Sequence, residues 1–203
     1  DVQEYVEIME MMESVSSVIA GYEINISCPN VKKGGMEFGV DCDMTAKLTE
    51  KLRILTERLL IMKLSPNVSD IVSIGLSAKN AGADAVSAIN TVVGMSIDAE
   101  SGSSNIFTTY GGLSGPAIKP IGLAMVHKLY NKLSIPIIGM GGIVNTDDVV
   151  EYMMAGSTAV QVGTANYRDP GIGEDIIDSL DSFINQTNRK SATDLIGSVR
   201  TLS

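Results

Sequence analysis

Five short apolar segments, each followed by a helix-like segment, constrain the fold more than any other feature of the sequence. The strand-like segments are Tyr22–Ile26, Leu59–Leu64, Ala85–Ile89, Ile135–Met140 and Ala159–Val162. Because parallel strands covered by helices are apolar along most of their length, this alternation predicts an α/β fold with a parallel sheet. Helices are expected over residues 2–19, 43–58, 69–81, 116–133, 146–155 and 173–187. Asp41 or Asp43 is expected to be the N-cap of the second helix.

Two architectures fit this alternation: a doubly wound sheet and a (β/α)8 TIM barrel. The chain has 203 residues, with no linker or low-complexity tract, and is read as a single domain over residues 1–203. A complete barrel takes ~250 residues, and this chain begins on a helix. As a barrel it is therefore expected to be incomplete, with about five C-terminal βα units and without its N-terminal strands.

Composition excludes several classes of partner. The net charge of −9 argues against nucleic acid and anionic membranes, since both reward positive charge. The sequence contains no apolar run of the ~20 residues that a bilayer span needs, and we expect no signal peptide. A hydrophobic content of 44% argues against disorder. With two cysteines and one histidine, the chain is expected to be cytoplasmic, with free thiols and no metal site.

Polar residues and glycines follow all five predicted strands. They are Asn25 and Cys28, then Lys63, Ser65 and Asn67, then Asn90 and Thr91, then Gly141 and Gly142, and finally Gly163 and Thr164. In parallel βα folds the ligand lies at the carboxyl ends of the strands. A ligand site is therefore predicted at this edge.

Alternation along the strands adds a direction to two of these side chains. Lys63 lies on the face opposite to that of Leu60, Met62 and Leu64, and Asn25 shares a face with Glu23. Since the apolar faces are expected to pack on helices, Lys63 and Asn25 are predicted to point into the barrel or cleft. A buried ammonium needs a partner, which is either an anionic ligand or Glu23.

Two glycine turns, in the segments 139–148 and 161–170, each join a predicted strand to a helix. Backbone N–H groups at such turns, together with a helix N-terminus, bind phosphate without requiring net positive charge. The alternative is that the glycines only allow tight packing between strand and helix. The long segment 91–115 is predicted to be functional because of its length.

Cys28 follows the first strand and precedes a glycine-rich stretch, whereas Cys42 lies at the start of a predicted helix. A thiolate can act as a nucleophile or base, so Cys28 is the candidate catalytic residue, with inert packing as the alternative. Cys42 is expected to have no role beyond helix entry. His127, in mid-helix, is expected to be a surface or boundary residue.

Six stretches, in order along residues 20–170, resemble class 1 dihydroorotate dehydrogenases. They are YEINISCPNVKKGGMEFG, IMKLSPNV, AGADAVSAINTVVGMSID, GGLSGPAIKP, IPIIGMGGI and AGSTAVQVGTA. The glycine-rich KKGGMEFG and the NTVVGMSID stretch resemble class 1B more than class 1A. The resemblance implies an FMN-binding barrel that oxidises dihydroorotate to orotate in pyrimidine biosynthesis. It also implies a homodimer, paired with a subunit that carries FAD and a 2Fe–2S cluster and passes electrons to NAD.

The resemblance also assigns roles to individual residues. It makes Cys28 the base that takes the C5 proton, and it places Asn25 against both substrate and flavin. Lys63 is implied to stabilise the anionic reduced flavin. The remaining substrate-binding residues would be Asn30, Asn90 and Thr91, and the remaining FMN-binding residues would be Ile89, Gly115, Gly141, Gly142, Gly163 and Thr164.

The chain departs from the family pattern in three places. The strands that begin the family's barrel and supply part of its flavin site are absent, Cys42 stands where proline is usual, and the 98–110 loop is unusual. Two other functions therefore stay open. One is another FMN barrel acting on pyrimidines, similar to dihydropyrimidine dehydrogenase, and the other is a half-barrel without catalytic activity.

Overall fold

The computed structural model describes residues 2–15, 17–26, 38–187 and 189–200. Strands and helices alternate along them. In chain order they are α1 (Val2–Val15), β1 (Gly21–Asn25), α2 (Cys42–Leu55), β2 (Leu59–Lys63), α3 (Ile71–Asn80), β3 (Ala85–Ala88), β4 (Val92–Gly94), β5 (Gly111–Leu113), α4 (Lys119–Tyr130), β6 (Ile137–Met140), α5 (Thr146–Ala155), β7 (Ala159–Gln161) and α6 (Ile172–Gln186). Within the described part, no helix is long and apolar enough to cross a membrane.

Five strands form one parallel sheet in the order β1-β2-β3-β6-β7. The strands of this sheet lie side by side in the order in which they occur along the chain. Between β3 and β6 the chain also forms β4 and β5, which pair with each other in a separate antiparallel ribbon. A doubly wound sheet reverses its strand order at a switch point, and this sheet does not. Right-handed crossovers in a sequential sheet place every helix on the same face, which is the arrangement of a barrel wall.

The sheet is strongly curved, as a hydrogen bond between its two outer strands shows. Gln161 Nε2 on β7 donates to Glu23 Oε2 on β1 at 2.6 Å. In a flat sheet, strands four positions apart would be separated by about 19 Å, too far for these side chains to meet. The sheet therefore curves around a lumen, and the fold is an incomplete α/β barrel of five parallel strands.

The side chains on the outer face of the sheet form the core. Leu60 and Met62 on β2, Val86 on β3 and Ile137 on β6 are almost fully buried, and the helices pack against them. This confirms the predicted alternation: the all-apolar face meets the helices, and the face with Lys63 is left for the lumen. Asp41 is the N-cap of α2, since its carboxylate accepts a hydrogen bond from Met44 N at 2.8 Å.

The structure differs from the expected elements in two places. Helix α1 ends at Val15 rather than at residue 19, because the serine and β-branched residues that follow disfavour helix. The segment 91–115, in which no strand or helix was expected, contains the β4–β5 ribbon. Strands of three residues rich in glycine are too short to give a readable periodicity.

Candidate functional site

A cleft of about 210 Å³ opens at the carboxyl ends of the strands. The residues that line it are Lys63, Ile89, Asn90, Thr91, Ser114, Gly115, Ile118, Met140, Gly141, Gly142, Ile143, Gln161, Val162, Gly163 and Thr164. The structure thus brings together nearly all the candidate site residues that it describes. Asn25 is the exception, since it reaches the cleft only through Asn90. Cys28 and Asn30 lie outside the described residues.

The amide wall, as it is called here, is the first side of the cleft together with the side chains that support it. Lys63, Asn90 and Thr91 line the cleft, and Asn25 and Asn67 contact them from behind. Asn90 Nδ2 donates to Asn25 Oδ1 at 3.0 Å, and Asn90 Oδ1 accepts from Thr91 N at 2.7 Å. The Tyr5 hydroxyl on α1 donates to the Asn25 carbonyl at 2.6 Å. These bonds fix the Asn25 backbone and the Asn90 side chain before any ligand arrives.

Asn67 holds the next part of the amide wall. Its Nδ2 donates to the Thr91 carbonyl at 3.1 Å, and its Oδ1 accepts from Val93 N at 2.9 Å. A single side-chain amide thus pairs with the backbone on both sides of residue 92, much as a neighbouring strand would. Asn67 itself is exposed, and it connects the loop after β2 to the segment that leaves β3.

Lys63 has a protein partner and a place in the cleft at the same time. Its Nζ lies 3.5 Å from Glu23 Oε1, with the two side chains 24% and 25% exposed. The two alternatives for the lysine were a ligand and an ion pair with Glu23. The structure shows the ion pair, and it also leaves Lys63 on the cleft surface.

The opposite side of the cleft, here called the glycine wall, comprises Gly115, Gly141, Gly142, Gly163 and Thr164. Gly115, Gly141 and Gly142 have φ values of +84°, +120° and +77°, a region that favours glycine. A Cβ on Gly142 would lie 2.7 Å from the Gly115 carbonyl oxygen, whereas a Cβ on Gly163 would meet nothing within 4 Å. The turns after β5 and β6 therefore pack backbone against backbone, and Gly163 leaves open space.

Buried side chains brace the glycine wall from behind. Asp148 on α5 accepts from Val144 N at 2.8 Å and from Asn145 N at 3.2 Å. Its other oxygen lies 2.6 Å from Lys119 Nζ at the start of α4. Asp148 and Glu151 raise the pKa of Lys119, so the ammonium form is favoured. One carboxylate thus connects the β6–α5 turn to the beginning of α4.

Tyr152 supports the same turn. Its hydroxyl donates to the Gly141 carbonyl at 2.8 Å and to the Met140 carbonyl at 3.1 Å. Tyr152 is fully buried, and this burial raises its pKa. The hydroxyl therefore stays protonated as a donor that faces the turn.

The α5 N-terminus is already occupied by the protein. Asn145 and Asp148 form a capping box there, and Asp147 adds a second acid to the first turn. The sequence suggested that this helix end would help to hold a phosphate. The capping box already satisfies backbone N–H groups at this helix end, and the acidic side chains offset its positive dipole. The glycine turn therefore remains as the candidate phosphate-binding element.

Sequence reasoning missed Gln161, Asp148 and Tyr152. Gln161 could have been found from alternation, because an isolated polar residue in an apolar strand of a barrel faces the lumen. Asp148 could have been suspected from the Asn–x–x–Asp spacing of a capping box. No local pattern identifies Tyr152 as a brace, since its role depends on α5 lying against the end of β6.

The chemical groups at the cleft are suited to binding an anionic, hydrogen-bonding ligand. Apart from Lys63, none of the described lining residues has an ionisable side chain. The walls otherwise offer amides, hydroxyls and backbone groups. The described lining residues include no carboxylate, thiol or imidazole, and Cys28 lies outside the described residues.

His127 and Cys42 take no part in the cleft. His127 lies half-buried on α4, where its Nε2 is 3.1 Å from Asn131 Nδ2. Cys42 begins α2 and is a free thiol. Both positions agree with what the sequence predicted.

Comparison with known proteins gives consistent results. Residues 1–184 match the profile of the family described as dihydroorotate dehydrogenase. The chain is 44% identical over 197 residues to the "Dihydroorotate dehydrogenase B (NAD(+)), catalytic subunit" of Malacoplasma penetrans, covering 97% of this chain and 64% of the relative. The protein with the same description in Parabacteroides distasonis is 46% identical over 198 residues, covering 98% and 65%.

A solved structure shares the fold. It is the DHODH of Eimeria tenella in complex with ferulenol, with a TM-score of 0.77 and 25% sequence identity. The alignment covers 94% of this chain and 57% of that one. The chain thus spans less than two thirds of the length of each of these proteins.

Proposed function

The chain belongs to the dihydroorotate dehydrogenase family, and on that premise we propose that it oxidises dihydroorotate to orotate with FMN, in pyrimidine biosynthesis. The observation that carries this proposal is the cleft, which joins an amide wall with a lysine to a wall of glycine turns. The first suits a planar pyrimidine with a carboxylate, and the second suits a phosphate. The family match favours this substrate over the pyrimidines of a dihydropyrimidine dehydrogenase-like enzyme.

The glycine wall fits the flavin phosphate. The space that a side chain at Gly163 would fill is open, and the turns at Gly115, Gly141 and Gly142 bring backbone groups to the cleft surface without side chains in front of them. Such donors bind phosphate in a protein of net negative charge. The volume of about 210 Å³ is below the ~300–1,000 Å³ of typical cofactor sites, which fits a site whose remaining wall comes from residues outside the described part.

The amide wall would hold the substrate and the flavin ring. When bound, FMN supplies the hydride acceptor at N5. Asn90, Thr91, Asn30 and Asn25 would orient the pyrimidine and its carboxylate by hydrogen bonds. Lys63 and Ile89 would lie against the flavin, with the ammonium of Lys63 favouring its reduced, anionic form.

Cys28 would accept the C5 proton. A thiol in this role must be a thiolate when the substrate binds. The described lining residues offer no carboxylate or imidazole for the task, which supports assigning it to a residue of the adjacent segment. Positioned proton transfer is typically worth about 10²–10⁴-fold in rate.

The partner follows from the subclass. The relatives named above are catalytic subunits of the NAD(+)-dependent B type. We propose that this protein likewise works as a homodimer in the cytoplasm, together with an electron-transfer subunit that carries FAD and a 2Fe–2S cluster. Electrons would then pass from FMN to NAD.

The test is anaerobic reduction of the flavin by dihydroorotate, followed by absorbance in the intact protein that carries this chain. We expect the wild type to bleach, and Cys28→Ala to keep its flavin but bleach about 10²–10⁴-fold more slowly. Cys42→Ala is the matched control and should bleach like the wild type. A wild type that binds no FMN, or that responds to dihydrouracil instead, would contradict the proposal. Normal bleaching by Cys28→Ala would contradict only the assignment of the base.

A further inference from the structure

Glu23 lies between two residues that line the cleft and does not itself line it. Its Oε1 is 3.5 Å from the Lys63 ammonium, and its Oε2 accepts a 2.6 Å hydrogen bond from Gln161 Nε2. Lys63 and Gln161 are both on the cleft surface. Each oxygen of the carboxylate thus contacts a different residue of the cleft.

The two contacts hold Glu23 from two distant strands of the sheet. Lys63 is on β2, the neighbour of β1, whereas Gln161 is on β7, the far outer strand. A carboxylate anchored in this way has little freedom to turn toward solvent, although its side chain is 25% exposed. The ion pairs Arg58–Glu13 and Arg53–Asp84 involve no residue that lines the cleft.

This arrangement decides how much positive charge the cleft presents. Lys63 alone would offer a full unit charge, and the fixed carboxylate opposes part of it. A reduced, anionic flavin is stabilised by the ammonium and destabilised by the carboxylate. At an effective dielectric constant of ~20, a unit charge about 12 Å away still changes an equilibrium by about tenfold.

We propose that Glu23 is a positioning residue that holds the Lys63 ammonium at the base of the cleft and lowers the reduction potential of the bound flavin. This rests on the proposed function, since it concerns the FMN of that site. Gln161 serves Glu23 by fixing the second oxygen of its carboxylate. The protein thus limits, through Glu23, how strongly Lys63 favours the reduced flavin.

The test is the midpoint potential of the flavin in Glu23→Gln, measured by spectroelectrochemistry on the intact flavoprotein. Glutamine keeps the size and can keep one hydrogen bond, but it removes the charge. We expect reduced FMN to gain about tenfold or more over oxidised FMN in relative affinity. For a two-electron couple, tenfold corresponds to a potential about 30 mV higher.

Glu13→Gln is the matched control. Glu13 is also a glutamate in an ion pair, 3.2 Å from Arg58 Nε and 24% exposed, but it contacts no cleft residue. The midpoint potential of Glu13→Gln should equal that of the wild type. The potential of Glu23→Asp, which retains the charge, should stay close to the wild-type value. If Glu23→Gln fails to fold, Glu23→Leu removes the same charge without leaving a polar group, and the potential should again rise.

The outcomes separate this proposal from the function on which it rests. A wild type that is reduced by dihydroorotate, together with an unchanged or lowered potential in Glu23→Gln, would overturn only the role of Glu23. An equal rise of the midpoint potential in Glu13→Gln would also overturn it, because a general loss of structural stability would then explain the effect. A wild type without bound FMN would overturn both proposals.

Discussion

The two walls of the cleft are built on opposite principles. The amide wall presents side chains, which are held by hydrogen bonds from Asn67 to the neighbouring backbone and by the ion pair between Glu23 and Lys63. The glycine wall presents backbone, and its support comes from the buried Asp148 and Tyr152 behind it. Under the proposed function, the amide wall would recognise its ligand through side-chain groups, and the glycine wall would do so through backbone groups and shape.

Because of this difference, substitutions in the two walls should have different effects on ligand binding and stability. A change in the glycine wall alters the path of the chain, so it should damage flavin binding and stability together. A change in the amide wall leaves the backbone of the barrel in place, since Asn67 is exposed and its partners can be hydrated. It should therefore affect substrate binding with little cost in stability.

Gly142→Ala should have the largest effect. At φ +77° an alanine costs about 1–2 kcal/mol, and its Cβ would lie 2.7 Å from the Gly115 carbonyl oxygen and 3.0 Å from Lys119 Cβ. We expect FMN affinity to fall about 100-fold or more, equivalent to roughly 3 kcal/mol, as measured by flavin titration.

Gly163→Ala is the matched control for that prediction. Gly163 has a negative φ of −106°, so alanine there avoids the left-handed penalty of Gly142, and its Cβ would enter open space. The thermal stability of Gly163→Ala should equal that of the wild type. Its FMN affinity should fall only modestly because of the added methyl group. Equal loss of stability in both variants would show that the glycine wall does not depend on its left-handed backbone.

Asp148→Asn should come next. It removes the charge that pairs with Lys119 and weakens the bonds from Val144 N and Asn145 N, and hydrogen bonds to charged groups are worth about 1.5–3 kcal/mol. We expect the free energy of unfolding in urea to fall by about 2 kcal/mol. Glu151→Gln removes the other carboxylate that pairs with Lys119. Glu151 Oε2 lies 3.0 Å from Lys119 Nζ, and the Glu151 side chain is 46% exposed. This substitution should cost no more than about 0.5 kcal/mol.

The sequence predicted the parallel sheet and the direction of the Lys63 side chain well because both depend on local patterns. Apolar strands separated by helices predicted the sheet, and the alternation around Lys63 placed its side chain in the lumen. The glycines of the glycine wall were visible as turns, but their braces were not. Asp148 and Tyr152 act across elements that lie together only after α4 and α5 have packed on the sheet.

Local sequence patterns could not predict the curvature, although the family resemblance implied a barrel. The alternation fitted an open sheet as well as a barrel, and the choice is made by contacts between distant strands. Glu23 and Gln161 are separated by 138 positions in the chain, so no short-range pattern relates them. The same contact holds Glu23 beside the residues that line the cleft. From the sequence alone, an ion pair between Glu23 and Lys63 was only one of two alternatives.

Asn67→Ala should have the smallest of the three effects. It removes the hydrogen bonds to the Thr91 carbonyl and Val93 N, each worth about 0.5–1.5 kcal/mol, and water can replace part of them. We expect the KM for dihydroorotate to rise about five- to tenfold, with a smaller change in kcat and an unchanged flavin potential. A fall in kcat with KM unchanged would show that Asn67 does not act by positioning the substrate residues Asn90 and Thr91.

A double-mutant cycle of Asn67→Ala and Asp148→Asn then tests whether the two walls are separate. The two side chains share no hydrogen-bond partner: Asn67 contacts Ser65, Thr91 and Val93, and Asp148 contacts Lys119, Val144 and Asn145. Changes at sites without shared partners add within about 0.3–0.5 kcal/mol. The coupling in unfolding free energy should therefore lie within that range. A coupling above about 1 kcal/mol would mean that the walls form one cooperative unit, and that shape and functional groups are not specified independently.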